Sequence, residues 1–274
     1  MRLTFVVCLT ALTLVVPVSP HAQQPQPPQQ PAIPAPVPVT RDAQAVTLLQ
    51  NSLAAMGGTV PTDSSATGNV TLVEGSLTSH GTVQILTRST NQTSIQFQTD
   101  SSNWSVIYSK GDANRVDSSG INYLSLEFAA SNQCFYFPMP YLSGLLGNPD
   151  VSIQYVGQET VDTSQAIHVR VRNTFNSTPT YQFLSDFTVV DIWLDATTFL
   201  PAKIGMIRRE GGASYPRIPI SFRYSNYQNV SGVQYPFAIQ EFYTDTLLVT
   251  TAIQSVTFNS GLTDTNFPVA LGSN

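Results

Sequence analysis

Hydrophobic and polar positions change period along this chain, and the changes mark its elements. From Thr40 to Met56 the apolar residues Val46, Leu49, Leu53 and Met56 fall at helical spacing, with Ala45 and Leu48 beside them. Thr40 can cap the segment, Asp42 suits its first turn, and Gly57-Gly58 ends it. The spacing predicts an amphipathic helix of about four turns. Its apolar stripe needs something to cover, and an antiparallel sheet face is the natural partner.

From Thr67 onward the period becomes two. Val70 and Leu72 alternate with Asn69 and Thr71, Val83 and Ile85 with Gln84, Ile95 and Phe97 with Gln96 and Gln98, and Trp104, Val106 and Tyr108 with Ser105 and Ser109. Gly, Asn, Asp and Ser bound each run, so a meandering antiparallel sheet is expected, with the Gln, Thr and Ser side wet. Residues 119–149 break the pattern. Leu124, Leu126 and Phe128 precede Phe135-Tyr136-Phe137-Pro138-Met139-Pro140, and Leu142, Leu145 and Leu146 follow. Short helices and loops are expected there, serving as a lid or plug over the sheet or simply capping the core. Alternation then resumes through Val151–Tyr155, Ile167–Arg172, Phe187–Asp195, Lys203–Arg209, Ile218–Tyr224, Val233–Asp245 and Leu247–Phe258. Leu262 to Pro268 reads as a last strand or a docked tail. The fold class expected is mainly β (α+β): one antiparallel sheet covered by the first helix and the middle insertion.

The ends change this picture. Met1-Arg2, the apolar run Leu3–Val16 and the small-residue segment Pro17–Ala22 follow the order of a secretory signal. The run is short for a membrane span. Residues 1–22 are therefore expected to be a signal peptide that leaves no transmembrane segment after cleavage. The alternative is an uncleaved anchor. Cys8 lies inside the apolar run rather than after it, which excludes a lipoprotein signal. Residues 23–39, QQPQPPQQPAIPAPVPV, favour extended polyproline II and read as a semi-rigid spacer, or else as a docking peptide. Residues 40–274 are then one domain, exported to the periplasm or beyond and expected to be a monomer.

Composition narrows the partners. Charged residues make up 11% of the chain against about 25% in ordinary soluble domains. The net charge of −5 becomes −6 once Arg2 is removed with the signal. The basic residues form no stripe, so nucleic acid is not an expected partner. Cys134 alone remains in the mature chain, which rules out an internal disulfide; its neighbours Phe135-Tyr136-Phe137 suggest burial rather than a nucleophilic role. His80 and His168 are far apart in sequence, no Gly-x-Ser-x-Gly elbow occurs, and His168, alternating beside Arg170 and Arg172, is expected to face solvent. Asp191 and Asp195 could share a strand face as paired carboxylates, but Asp195-Ala196-Thr197-Thr198 reads as a strand-ending turn. No catalytic residue, metal or organic cofactor is expected.

Four segments carry a family resemblance: AQAVTLLQNSLAAMGG (43–58), WLDATTFLPAKI (193–204), YSNYQNVSGVQYPFAI (224–239) and SVTFNSGLTDTNF (255–267). Their order and spacing over residues 40–268 resemble the LolA-like, outer-membrane lipoprotein-sorting-like periplasmic proteins, with the look of an exported acidobacterial member. The resemblance implies an incomplete, strongly curved β-barrel with helices in its open mouth, an apolar concave face and no cofactor. It implies a carrier or binding protein whose partner is a lipid, an acyl chain, a lipopeptide or a lipidated protein. The residues expected to line the ligand pocket are Ile95, Phe97, Trp104, Val106 and Tyr108, with Leu142 and Leu145 from the insertion. Two other functions remain open: an envelope protein-interaction module with a packed core, and a cell-wall polymer hydrolase.

Overall fold

A computed structural model of the protein describes residues 35–131, 135–209 and 216–269. The expected signal peptide, residues 23–34 of the expected linker, and Cys134 lie outside them. The described strands are β1 (Asp63–Glu74), β2 (Leu77–Arg88), β3 (Gln92–Thr99), β4 (Asn103–Ser109), β5 (Asp112–Asp117), β6 (Gly120–Tyr123), β7 (Val151–Val161), β8 (Ser164–Asn173), β9 (Val190–Asp195), β10 (Pro201–Arg209), β11 (Arg217–Val230), β12 (Val233–Tyr243) and β13 (Thr246–Phe258). All belong to one antiparallel sheet in the order β6-β5-β4-β3-β2-β1-β13-β12-β11-β10-β9-β8-β7. The sheet is curved and open, because β6 and β7 remain its edges and do not pair with each other.

Period two in the sequence becomes two faces in the sheet. Val70, Leu72, Val83, Ile85, Ile95 and Phe97 are buried, while Asn69, Gln84, Gln96 and Gln98 between them are exposed. Register slips at Thr67/Gly68, Tyr155/Gly157, Pro201/Lys203 and Glu241/Phe242 supply the local bends a curved sheet needs.

Helix α1 (Ala43–Ala55) buries Ala45 and Leu49 against this core. Asp42, not Thr40, is its N-cap, with the carboxylate accepting from the Ala45 amide at 2.9 Å. Thr40 and Arg41 are instead drawn into a parallel bridge with Ile153 of β7. Asp42 thus caps the helix where the sequence placed it inside the first turn. The helix stops at Gly57, whose φ is +118° and where a Cβ would collide with the Gly232 carbonyl oxygen. That contact lets Gln234 donate to the Met56 carbonyl at 2.9 Å, fastening α1 to the β11–β12 hairpin.

The insertion divides into two covers with different roles. Helix α3 (Pro138–Gly147) is a plug: Met139, Tyr141, Leu142 and Leu145 are all buried in the main core, and α3 packs on α1. Helix α2 (Leu126–Ser131) packs on β5, on β10 and on a 3-10 segment at Pro179–Phe187. It therefore crosses the open side of the sheet between distant strands. The 3-10 segment is a third cover that the alternation did not reveal. Phe187 was expected to open a strand but closes this segment, and β9 starts at Val190. The C-terminal residues form a docked tail rather than a strand, with Phe267 buried.

Candidate functional site

The core face is not filled everywhere. A cavity of about 530 Å³ opens between β1, β3, β4, β11, β12 and β13 on one side and the segments Tyr123–Phe128 and Phe135-Tyr136 on the other. Five of the seven expected pocket residues meet there: Ile95, Phe97, Trp104, Val106 and Tyr108 all line it. Antiparallel register explains the meeting, since Ile95 pairs with Val106, Phe97 with Trp104, and Tyr108 follows on the same face. Phe97 and Trp104 pack as a tilted pair with ring centroids 4.2 Å apart, and the Arg115 guanidinium lies 4.7 Å over Trp104. Leu142 and Leu145 do not join them. Both belong to the plug, at 0% and 8% exposure, and are not among the cavity's lining residues.

Charged groups also reach this face, and the alternation of their own strands puts them there. The rung Val169, Ile192, Ile204, Phe222, Glu241, Val249 and Leu72 crosses seven strands on the core side, and Glu241 alone in it is ionisable. Arg208 follows Ile204 and Met206 on the same phase of β10. Each is only 8% exposed. Arg208 Nη2 stands 3.9 Å from Glu241 Oε1, and Arg208 Nη1 donates to the Tyr243 hydroxyl. The Tyr136 hydroxyl donates to Glu241 Oε2 at 3.2 Å. The guanidinium also lies 5.0 Å over the Phe128 ring of α2. Burial pushes the Glu241 carboxyl above its ordinary range, and neither Arg208 nor the tyrosine hydroxyls bring it back. Tyr243 is pushed up to about 12, by burial first and by Glu241 second. The cluster sits at one end of the cavity, where the hairpins close at Glu74/Leu77 and Tyr243/Thr246 and where β10 ends. Most of the remaining lining is apolar, with Glu74, Ser125 and Arg115 as the polar exceptions, so the cavity is amphipathic.

A second cavity, of about 380 Å³, lies beyond α2 and is lined by Thr93, Lys110, Leu126, Phe175 and Leu184 among others. Tyr108 lines both cavities.

The other candidate chemistry resolves into structure. His80 is exposed on β2 and His168 is on β8, far along the strand order, so they do not converge. His168 is buried, contrary to the expectation that it faces solvent. Trp193, its cross-strand neighbour, stacks on the ring at 4.5 Å, and Glu159 closes over it from β7. Its Nδ1 lies 2.7 Å from Glu159 Oε1 and its Nε2 2.6 Å from Asp191 Oδ1. With both nitrogens held by carboxylates, neither is placed to act on a serine. Asp191 also accepts from Arg170, while Asp195 caps its turn by accepting from the amides of Thr197 and Thr198 at 3.0 and 2.7 Å. The two carboxylates therefore serve separate local structures.

No protein-family model matches the chain, and no curated protein matches it. Solved structures do. A LolA superfamily protein from Nitrosomonas europaea superposes with a TM-score of 0.53 at 15% identity, covering 82% of this chain and 97% of its own. An outer-membrane lipoprotein-sorting protein domain from Vibrio parahaemolyticus gives 0.54 at 12% identity, covering 82% and 96%. A DUF1329 family protein from Desulfovibrio piger gives 0.55 at 10% identity, covering 82% and 97%. At these identities the likeness is one of fold.

Proposed function

The fold is LolA-like, and from that premise we propose that this protein is an exported, non-catalytic binding or carrier protein for a lipid, lipopeptide or lipidated cargo. The observation that carries this reading is the open volume on the core face, walled by Ile95, Phe97, Trp104 and Val106. Its size falls within the range of pockets that enclose small organic ligands, roughly 300–1,000 Å³. A sheet face this apolar is ordinarily packed shut, and a protein-docking module with a dry core has no use for the space. Each methylene transferred from water into it contributes about 0.8 kcal/mol, so an acyl chain binds there without chemistry. Residence in the periplasm rests on the signal-like order of residues 1–22, and none of the described helices is long and apolar enough to cross a membrane. The name of the lipoprotein-sorting domain from Vibrio parahaemolyticus, of like fold, points the same way.

The test is mass spectrometry of the protein purified from its native compartment without detergent and extracted with organic solvent. A stoichiometric lipid or lipopeptide supports the reading, and a ligand-free protein that also fails to take up a neutral fluorescent probe overturns it. Trp104 gives the companion variant. Trp104 is half-buried at the cavity wall and packs on the rim of the main core, so its truncation to Ala removes ligand contact while leaving the fully buried core side chains in place. Affinity is expected to fall by about tenfold, the equivalent of about 1.4 kcal/mol, with cooperative unfolding retained.

A further inference from the structure

The cavity's charges say what kind of head group it takes. Four of its lining residues are formally charged: Arg115 and Arg208 against Glu74 and Glu241. They cancel. Arg208 and Glu241 are both buried and stand within one ion pair of each other, joined through the Tyr243 hydroxyl on the arginine side and the Tyr136 hydroxyl on the glutamate side. Arg115 keeps its own counter-charge, Asp117, at 3.3 Å. A free carboxylate or phosphate brought to Arg208 therefore arrives beside Glu241 as well, where two anions in a desolvated site repel. An ammonium meets the same obstacle at Arg208. A neutral group that both donates and accepts hydrogen bonds meets neither, and the cluster offers it charged donors and acceptors in a volume whose lining is mostly apolar.

Building on the reading of the cavity as an acyl-chain site, we propose that the Arg208–Tyr243–Glu241–Tyr136 cluster is a head-group subsite that selects uncharged, hydroxyl-bearing acyl esters or amides over free fatty acids and acyl amines. The chain lies along Ile95, Phe97, Trp104 and Val106, and the head group rests at the strand ends near Arg208. The cluster is a specificity device, and no bond is made or broken at it.

The experiment uses three amphiphiles with one chain length, monolaurin, laurate and dodecylammonium, below their micellar concentrations at pH 8. Each displaces the uncharged probe N-phenylnaphthylamine from the wild-type protein. Monolaurin is expected to bind at least tenfold tighter than either ion. In Glu241→Gln the guanidinium loses its counter-charge, and laurate is expected to gain at least tenfold relative to monolaurin. In Arg208→Met/Glu241→Gln, with the guanidinium of the cluster gone as well and Arg115 still held by Asp117, that gain is expected to disappear. Probe binding without head-group preference in the wild type, or no gain for laurate in Glu241→Gln, overturns this proposal and leaves the acyl-chain site standing. Failure of the probe and all three amphiphiles to bind overturns both.

Discussion

Glu241→Gln offers the sharpest test of the cavity wall, because it separates a group kept for stability from one kept at a cost to it. In the folded protein Glu241 is buried on the apolar rung between Phe222 and Val249, and burial raises its pKa despite Arg208 at 3.9 Å. The unfolded chain ionises it near the ordinary value of about 4.3. The sign follows directly. Below that value both states hold the proton and the carboxyl makes no pH-dependent contribution. As pH rises, the unfolded state releases the proton first, so stability declines until pH passes the folded value and then levels off. Each unit between the two values is worth about 1.4 kcal/mol. Gln keeps the side-chain shape and an acceptor for Tyr136 but does not titrate. Urea unfolding of both proteins from pH 4 to pH 8 reads the difference. Asp63, Asp195, Glu159 and Asp264, whose folded values are all lowered, shift with pH equally in both and cancel. The variant is expected to match the wild type in acid and to exceed it by a margin that grows as pH rises from the unfolded to the folded value and then holds. A difference that stays flat, or that grows in favour of the wild type, refutes the argument, since the ion pair with Arg208 would then outweigh desolvation.

Other positions give simpler expectations. Asp63 at the start of β1 accepts from the amide and hydroxyl of Ser260 at 2.7 and 2.8 Å and from the amides of Gly261 and Leu262 at 3.0 and 3.2 Å. Burial opposes its ionisation, but these bonds win and hold its pKa low, so its contribution is complete above about pH 4 and is lost as pH falls through the folded value. Asp63→Ala is expected to cost about 2–3 kcal/mol in urea unfolding at pH 7 and to flatten the acid limb. His168→Phe keeps the stack on Trp193 but breaks both carboxylate contacts, and hydrogen exchange is expected to quicken first along the edge strand β7. Gly57→Ala places a Cβ against the Gly232 carbonyl at a left-handed φ, and a loss of about 1–3 kcal/mol is expected in thermal unfolding.

Much of this architecture is legible from period and punctuation. The helix ending at Gly57, the alternating runs from Thr67 and the apolar insertion all come directly from residue spacing, because backbone geometry dictates those periods. What spacing does not carry is which distant elements meet. Leu142 and Leu145 were expected at the pocket because they belong to the apolar insertion, which could be a lid or a plug, yet α3 packs them into the main core while α2 crosses the open side of the sheet. His168 looked exposed because it alternates with arginines. Its burial depends on Trp193 and Glu159, from the two strands flanking β8, and no local pattern announces such a cross-strand lid. The polar end of the cavity did leave a trace. Glu241 continues the buried phase of β12 after Tyr235 and Ile239, and Arg208 continues that of β10 after Ile204 and Met206. A charge on the apolar phase of an alternating strand is expensive unless something answers it. Two such charges of opposite sign, on strands separated only by β11, answer each other. Because burial still leaves Glu241 disfavoured in its ionised form, the fold alone gives no reason to keep the pair. On the proposed reading, the pair is kept for the head group that the cavity between these strands takes.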